Sequence, residues 1–215
     1  MFTLRFDMRA PDWGAPIDDL YAAAIDMAAW SEGRGAVAAV LSEHHGTADR
    51  HLPSPMVLAT AIASRTEHLA IMVAALVLPF YETVRLAEDM AVLDVISRGR
   101  VSYVIGVGHR REEYEHFAVP FEGRGDRVDE QLTALLRSLH GERTREGVTI
   151  TPTPTSGGPT FFIGGGSLAA ARRAGRFGLG LIAQSPTPGL VEPTKPRAAP
   201  LGTPPGSSSS PSPTR

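Results

Sequence analysis

"LAIMVAALVLPFYETVRLAEDMAVLDVISRGRVSYVIGVG", Leu69 to Gly108, decides the fold class. The stretch from Leu69 to Leu78 is apolar almost throughout, as a strand buried on both faces would be. Pro79 ends it. From Tyr81 to Ile96 the apolar residues fall near a 3.6-residue period, at Val84, Leu86, Ala87, Met90, Ala91, Leu93 and Val95. That period predicts a helix with one face on a core. Ser97-Arg98-Gly99-Arg100 predicts a helix stop and a turn. Val101 to Ile105 predicts another strand, running into Gly106-Val107-Gly108. Strand, helix, strand is a crossover unit, so the two strands are parallel.

The alternation extends both ways from this unit. Upstream, Thr3 to Phe6 predicts a strand. A helix through Leu20 to Trp30 follows, capped by Asp18 or Asp19 and ended by Gly33 or Gly35. Ala36 to Leu41 predicts the second strand, and Pro55 to Ser64 a helix with Ser54 as its cap. Downstream, Glu112 to Phe117 and Arg124 to Leu139 predict helical pieces, and Thr144 to Pro159 a loop or small hairpin. Phe161 to Ile163 predicts a fifth strand, Leu168 to Arg176 a helix, and Leu179 to Ile182 the start of a sixth strand. The fold class is therefore α/β with a parallel sheet, either doubly wound or a (β/α)8 barrel. Six strands are two short of a closed barrel.

Residues 1–184 read as one such domain. Residues 185–215 are of different composition, holding nine of the chain's 18 prolines and ending in a Ser/Pro run. They predict a low-complexity, disordered tail. Because the change interrupts the repeat, a shift of reading frame near Glu192 is the preferred reading and a natural Pro/Ser tail the alternative.

A net charge of -2 over 215 residues gives no electrostatic reason to expect nucleic acid or an anionic membrane as partner. The absence of cysteine excludes disulfides and thiolate metal sites and fits a cytoplasmic protein. No apolar stretch approaches the ~18 residues of a membrane span, and the N-terminus lacks the apolar core of a signal peptide.

In parallel α/β folds the chemistry gathers at the C-terminal ends of strands. The second strand ends in Glu43-His44-His45. If the strand continues, the two imidazoles point to opposite sides, so one faces a shared pocket; that geometry disfavours a common metal ion and suits proton transfer near neutral pH. Glu43 could orient an imidazole or pair with an arginine. A histidine merely hydrogen-bonded into its loop is the plain alternative. Gly164-Gly165-Gly166-Ser167 precedes a helix start, where bare backbone N–H groups attract phosphate; the same residues also suit an ordinary loop with an N-cap. Gly106-Val107-Gly108 lacks the third glycine of a dinucleotide fingerprint. His109, Arg110 and Arg111 could hold a phosphate, or form a solvated helix start, as Glu112, Glu113 and Glu115 suggest. Glu88, Asp89 and Asp94 read as structural ion pairs away from the strand ends.

Taken together, Ser42-Glu43-His44-His45-Gly46, Ala74-Ala75-Leu76-Val77-Leu78-Pro79, Val84-Arg85-Leu86-Ala87-Glu88-Asp89 with Leu93-Asp94, Ser97-Arg98-Gly99-Arg100, Gly106-Val107-Gly108 with Glu113 and Phe117, and Gly164 to Ser167 with Ala170, Arg173, Ala174 and Gly178 resemble the bacterial luciferase-like flavin-dependent oxidoreductases. The resemblance covers residues 1 to 192. It implies a TIM barrel, incomplete at about six of eight strands, that binds reduced FMN or a deazaflavin (coenzyme F-420) at its C-terminal mouth. It implies either a monooxygenase that activates dioxygen on a small organic substrate, supplied by a separate flavin reductase, or a deazaflavin-dependent hydride-transfer enzyme. It makes His44, with Glu43, the acid/base residue. It places a non-prolyl cis peptide at Ala74-Ala75 and lines the phosphate side with Gly106, Gly108, His109, Gly165, Gly166 and Ser167. A homodimer through helices flanking the second and third strands is also implied. Val107 stands where the luciferases carry a phosphate-binding arginine, which shifts that contact to His109, Arg110 or the later loop. The competing readings are a truncated, non-catalytic flavin-binding barrel and a metal-dependent barrel hydrolase using His44 or His45 with His109.

Overall fold

Six strands form one parallel sheet whose spatial order is their chain order. The computed structural model describes residues 1–144, 147–155 and 157–183; the predicted tail, 185–215, lies outside the described residues. The elements are β1 (Phe2–Phe6), α1 (Ile17–Glu32), β2 (Ala36–Leu41), α2 (Pro55–Arg65), β3 (Ala70–Val77), α3 (Thr83–Ser97), β4 (Val101–Gly106), α4 (Arg111–His116), α5 (Arg124–Leu139), β5 (Thr160–Gly164), α6 (Leu168–Phe177) and β6 (Gly180–Ile182). A doubly wound sheet reverses its strand order at a switch point. This sheet does not, so of the two architectures left open by the strand–helix pattern it is the barrel type, as the family resemblance implies, incomplete with six strands among the described residues.

Side chains on alternate strand positions divide between two layers. On β3, Ile71 and Val73 are fully buried against the helices, where they join Leu58, Ile62, Leu86 and Met90 in the main core. Met72 and Ala74 point to the other face. A fully buried Leu, Ile or Met contributes about 1.5–3 kcal/mol, which is why the apolar runs of β3 and α3 define the fold so firmly.

Sequence and structure differ at several caps. Asp18 and Asp19 lie inside the first turn of α1, and Pro16 occupies the cap position without a side-chain bond. Carboxylates there still favour the positive helix end. Ser54 is at the cap of α2 but makes no capping bond. The helix after β3 starts late, at Thr83, because Leu78–Phe80 forms a 3-10 turn and Glu82 caps α3 by accepting from Val84 and Arg85. The segment after α5 contains no strand among its described residues. Among the described residues Asp94 has no ion-pair partner. It is buried, and its Oδ2 accepts from the Thr155 N–H and hydroxyl, tying that loop to α3. Asp89 does pair, with Arg85.

The Ser97–Arg100 turn closes the end of the barrel away from the strand tips. Arg98 adopts the left-handed conformation, and Arg100 turns back. Its guanidinium donates to the carbonyls of Ser97, Ala63, Thr66 and Leu69 and to Thr66 Oγ1, at 2.7–3.0 Å. Beside it Glu32, at the end of α1, accepts from the backbone N–H groups of Glu67, His68 and Leu69. Partial burial pushes the Glu32 carboxyl up, but those three donors outweigh it and hold it below the usual carboxylate range.

Candidate functional site

The concave face of the sheet is lined by inward positions of every strand. Arg5, Val40 and Met72 are paired neighbours across β1, β2 and β3, and all three line one cavity with Val104 on β4, Gly164 on β5 and Ile182 on β6. The first and last strands thus share a single cavity of about 880 Å3, a size suited to a cofactor-sized ligand. Its rim is built by the segments that follow the strand ends.

One part of the cavity wall is made of backbone and methyl groups. The Ala74–Ala75 peptide bond is cis, and the β3–β4 register slips between Ala74 and Leu76. The Ala75 methyl thereby projects across β4 and β5. A Cβ added at Gly106 would lie 3.0 Å from Ala75 Cβ; one at Gly164 would lie 3.0 Å from Val104 Cγ1 and 3.7 Å from Ala75 Cβ. Glycine at both positions keeps this wall free of side chains, so a planar group can approach the backbone.

Opposite chemistry meets at the end of β2. His44 and His45 part company, as alternation predicts. His44 lines the cavity; His45 is packed against the rings of Phe80 and Phe117. Glu43 is buried and uses both oxygens: Oε1 accepts from His45 Nε2 at 2.8 Å and from the Tyr81 hydroxyl at 3.1 Å, and Oε2 from the Val77 N–H at 2.9 Å. Burial, then the adjoining Glu43 carboxylate, push the Tyr81 phenol far above its ordinary value, so it remains a donor. Of the two imidazoles, Glu43 therefore orients His45.

His44 takes its orientation from Glu113, in α4. Glu113 Oε1 lies 3.1 Å from His44 Nδ1 and accepts the His45 N–H at the same distance. A carboxylate only accepts, so His44 carries its proton on Nδ1 and Nε2 is free for a ligand. Glu113 is 2% exposed, so the α4 start is not simply a solvated face. His109 stands 6.4 Å from His44, ring to ring, on the same cavity. Arg110 approaches Glu113 at 3.6 Å, whereas Arg111 turns away to Glu122 and the Phe121 ring. Nothing in the sequence marked Glu113 as the partner of His44. The two are 69 positions apart, and only the convergence of the segments after β2 and β4 joins them.

The far side of the cavity gathers two helix starts. Gly165 and Ser167 line it at the start of α6, while Gly166 is exposed and outside the lining. The Ser167 hydroxyl caps α6 by accepting from the Ala170 N–H. Gly123, Arg124 and Gly125 bring the start of α5 to the same place, and Gly123 makes no side-chain cap. Arg173, buried on α6, is held by Asp129 at 2.5 Å and by the Gly125 carbonyl. Two positive helix ends and the Arg124 guanidinium favour an anion here, with Arg173 already paired to Asp129 and Asp126 also in the lining. Gly106 and Gly108 line the same cavity. The helix Arg124–Leu139 was read from the sequence, but the place of its start in the cavity wall was not. Among the described residues, no group of three or more His, Asp or Glu is arranged to hold a metal ion, and no helix is long and apolar enough to cross a membrane.

Comparison with known proteins agrees with this architecture. Over 130 residues the chain is 27% identical to the oxygenase component of flavin-dependent trigonelline monooxygenase from Acinetobacter baylyi, covering 60% of this chain and 36% of that protein. Over 177 residues it is 27% identical to an F420-dependent glucose-6-phosphate dehydrogenase from Nocardia farcinica, covering 75% and 52%. The oxygenating constituent of 3,6-diketocamphane monooxygenase from Pseudomonas putida, solved in complex with FMN, superposes with a TM-score of 0.73 at 20% identity, over 84% of this chain and 56% of that one. The match thus spans between about a third and about half of the two curated relatives. The model of the luciferase-like monooxygenases matches residues 6–194, nearly the whole chain, and the protein belongs to that family.

Proposed function

We propose that the chain carries the flavin site of an oxidoreductase, a monooxygenase that uses reduced FMN and dioxygen on a small organic substrate. The observation that carries the reading is the presence of two walls in one cavity: the surface of Ala74, Ala75, Gly106 and Gly164, bare but for methyl groups, and the His44 imidazole, whose Nε2 has no partner among the described residues. The first wall fits a planar ring system, which a bulkier residue at Gly106 or Gly164 would displace. The α5 and α6 starts, with Arg124, Arg173 and Ser167, would hold the phosphate, replacing the arginine absent at Val107. Reduced flavin supplies electrons to dioxygen when bound. His44 gives or takes a proton at Nε2 while Glu113 holds its Nδ1, and Glu43 positions the loop through His45. A separate reductase as the source of reduced flavin is consistent with a relative described as an oxygenase component, and a homodimer fits the family resemblance.

Deazaflavin-dependent hydride transfer is the second reading, favoured by the F420-dependent relative that matches three quarters of the chain. Equilibrium titration of the full chain with FMN, reduced FMN and F420, followed by oxygen consumption with a reductase and NADH, separates the two. Replacing His44 by Ala should lower turnover about 100-fold with cofactor affinity nearly unchanged. Equal loss of both would remove His44 from the proton-handling role.

A further inference from the structure

Behind the His44 wall lies a second, outer pocket of about 550 Å3, bordered by Arg9, Thr47, Asp49, His51 and Arg110, with His44 common to both cavities. Two side chains cross the partition. Ser42 lines the inner cavity and is buried, yet its Oγ lies 3.2 Å from His51 Nε2. His51 lines the outer pocket, with its backbone N–H fixed by Thr47 Oγ1 at 2.9 Å. Its ring rests against His44 at 4.5 Å between centroids.

From this arrangement we propose that Ser42 and His51 form a proton relay through the barrel wall, joining the inner cavity to solvent. The proposal rests on the flavin reading for the source of the proton, and on the geometry alone for the route. A proton released in the cavity, from a substrate hydroxyl or from His44 Nε2, is taken by Ser42 Oγ. The serine hydroxyl passes its own proton to His51 Nε2. The imidazolium then releases the proton on Nδ1 to water in the outer pocket. One proton enters and one leaves, and no electrons move. A hydroxyl both donates and accepts, and a neutral imidazole does the same with its two nitrogens, so the pair conducts in either direction.

The surroundings suit transfer rather than storage. Burial, the neighbouring His44 and Arg9 push His51 below the ordinary histidine value, while Asp7 and Asp49 pull it upward. Glu113 stands against His44 Nδ1, and Arg110, which approaches Glu113 at 3.6 Å, borders the same outer pocket as His51. A neutral His51 near physiological pH accepts a proton without retaining it.

Two measurements on the full chain test the relay. In flavin-free protein, nitrogen-15 histidine spectra across pH should show His51 titrating below the ordinary range, and Ser42→Ala should change its neutral tautomer while His45 is unmoved. An unchanged tautomer overturns the proposal without reference to any cofactor. With reduced FMN and oxygen, His51→Gln and Ser42→Ala should each slow turnover at least about tenfold with flavin affinity retained. Imidazole added to His51→Gln should restore the rate in proportion to its concentration, and Ser42→Thr should retain it. Normal flavin binding with no rescue overturns the relay. Failure of every variant and of the parent to bind flavin counts instead against the flavin reading, and the tautomer then decides.

Discussion

At the scale of single residues, the site separates side chains by what they touch. His44 and His45 are adjacent, but one faces a cavity and the other a buried carboxylate and two aromatic rings. His51 carries a pH consequence of its own. Its value in the folded protein is depressed, so the unfolded chain binds protons first as pH falls. Its stabilising contribution is therefore fully present above about pH 6.5, the ordinary histidine value, and fades as pH falls from there through the folded value. Urea unfolding from pH 7.5 to 5 should show parental stability falling more steeply than that of His51→Gln. Parallel curves would mean that His51 is not depressed. The strand alternation that separates His44 from His45 is visible in sequence; the partners of those histidines are not. Glu113 meets His44, and Tyr81 shares Glu43 with His45, only because the segments after β2, β3 and β4 converge, and no local pattern encodes that meeting.

Elements divide the molecule into two faces with different demands. The strand tips serve the cavity, while the opposite ends serve stability, as expected of this barrel type. Arg100 and Gly106 bracket the same strand, β4, and test the division. Arg100→Lys removes a planar fork that reaches five acceptors, and should cost about 2–4 kcal/mol of stability without changing flavin affinity. Gly106→Ala presses a methyl to 3.0 Å from Ala75. It should cost about 1–3 kcal/mol and weaken flavin binding at least about tenfold by displacing the wall. Denaturation midpoints and flavin titrations on both proteins read the outcome, and equal affinity loss in the two would erase the distinction. The Ser97-Arg98-Gly99-Arg100 run was legible as a helix stop, and Arg124 to Leu139 as a helix with its observed bounds. Helix starts were less legible. Capping at Glu82 depends on how a 3-10 turn aims the chain, and a run of apolar residues through Leu78 hides that turn.

For the whole molecule, the alternation of strand and helix left a doubly wound sheet and a barrel open, because both use it, and the family resemblance alone implied the barrel. The spatial order of the strands agrees with that implication. The helical exterior carries a further whole-molecule expectation. Val57 on α2 is 72% exposed, and Val92, Val95 and Ile96 on the neighbouring α3 are each at least 40% exposed. Single exposed apolar residues need no explanation, but adjacent helices that both present them fit a self-association face. Helices α2 and α3 flank β3, where the family resemblance places a dimer contact. An isologous pair would set α2 and α3 of one protomer against their counterparts and bury these side chains twice over. Light scattering of the full chain should accordingly give twice the chain mass. Val57→Asp combined with Val92→Asp should give the single chain mass with the far-ultraviolet circular dichroism spectrum retained, since neither side chain belongs to the core. A parental protein of single chain mass, or a double variant that still pairs, would place the contact elsewhere. Because Arg5, Val40 and Met72 point away from these helices into the cavity, flavin affinity in the double variant should stay within about twofold of the parent, less than the 1.4 kcal/mol of a tenfold change.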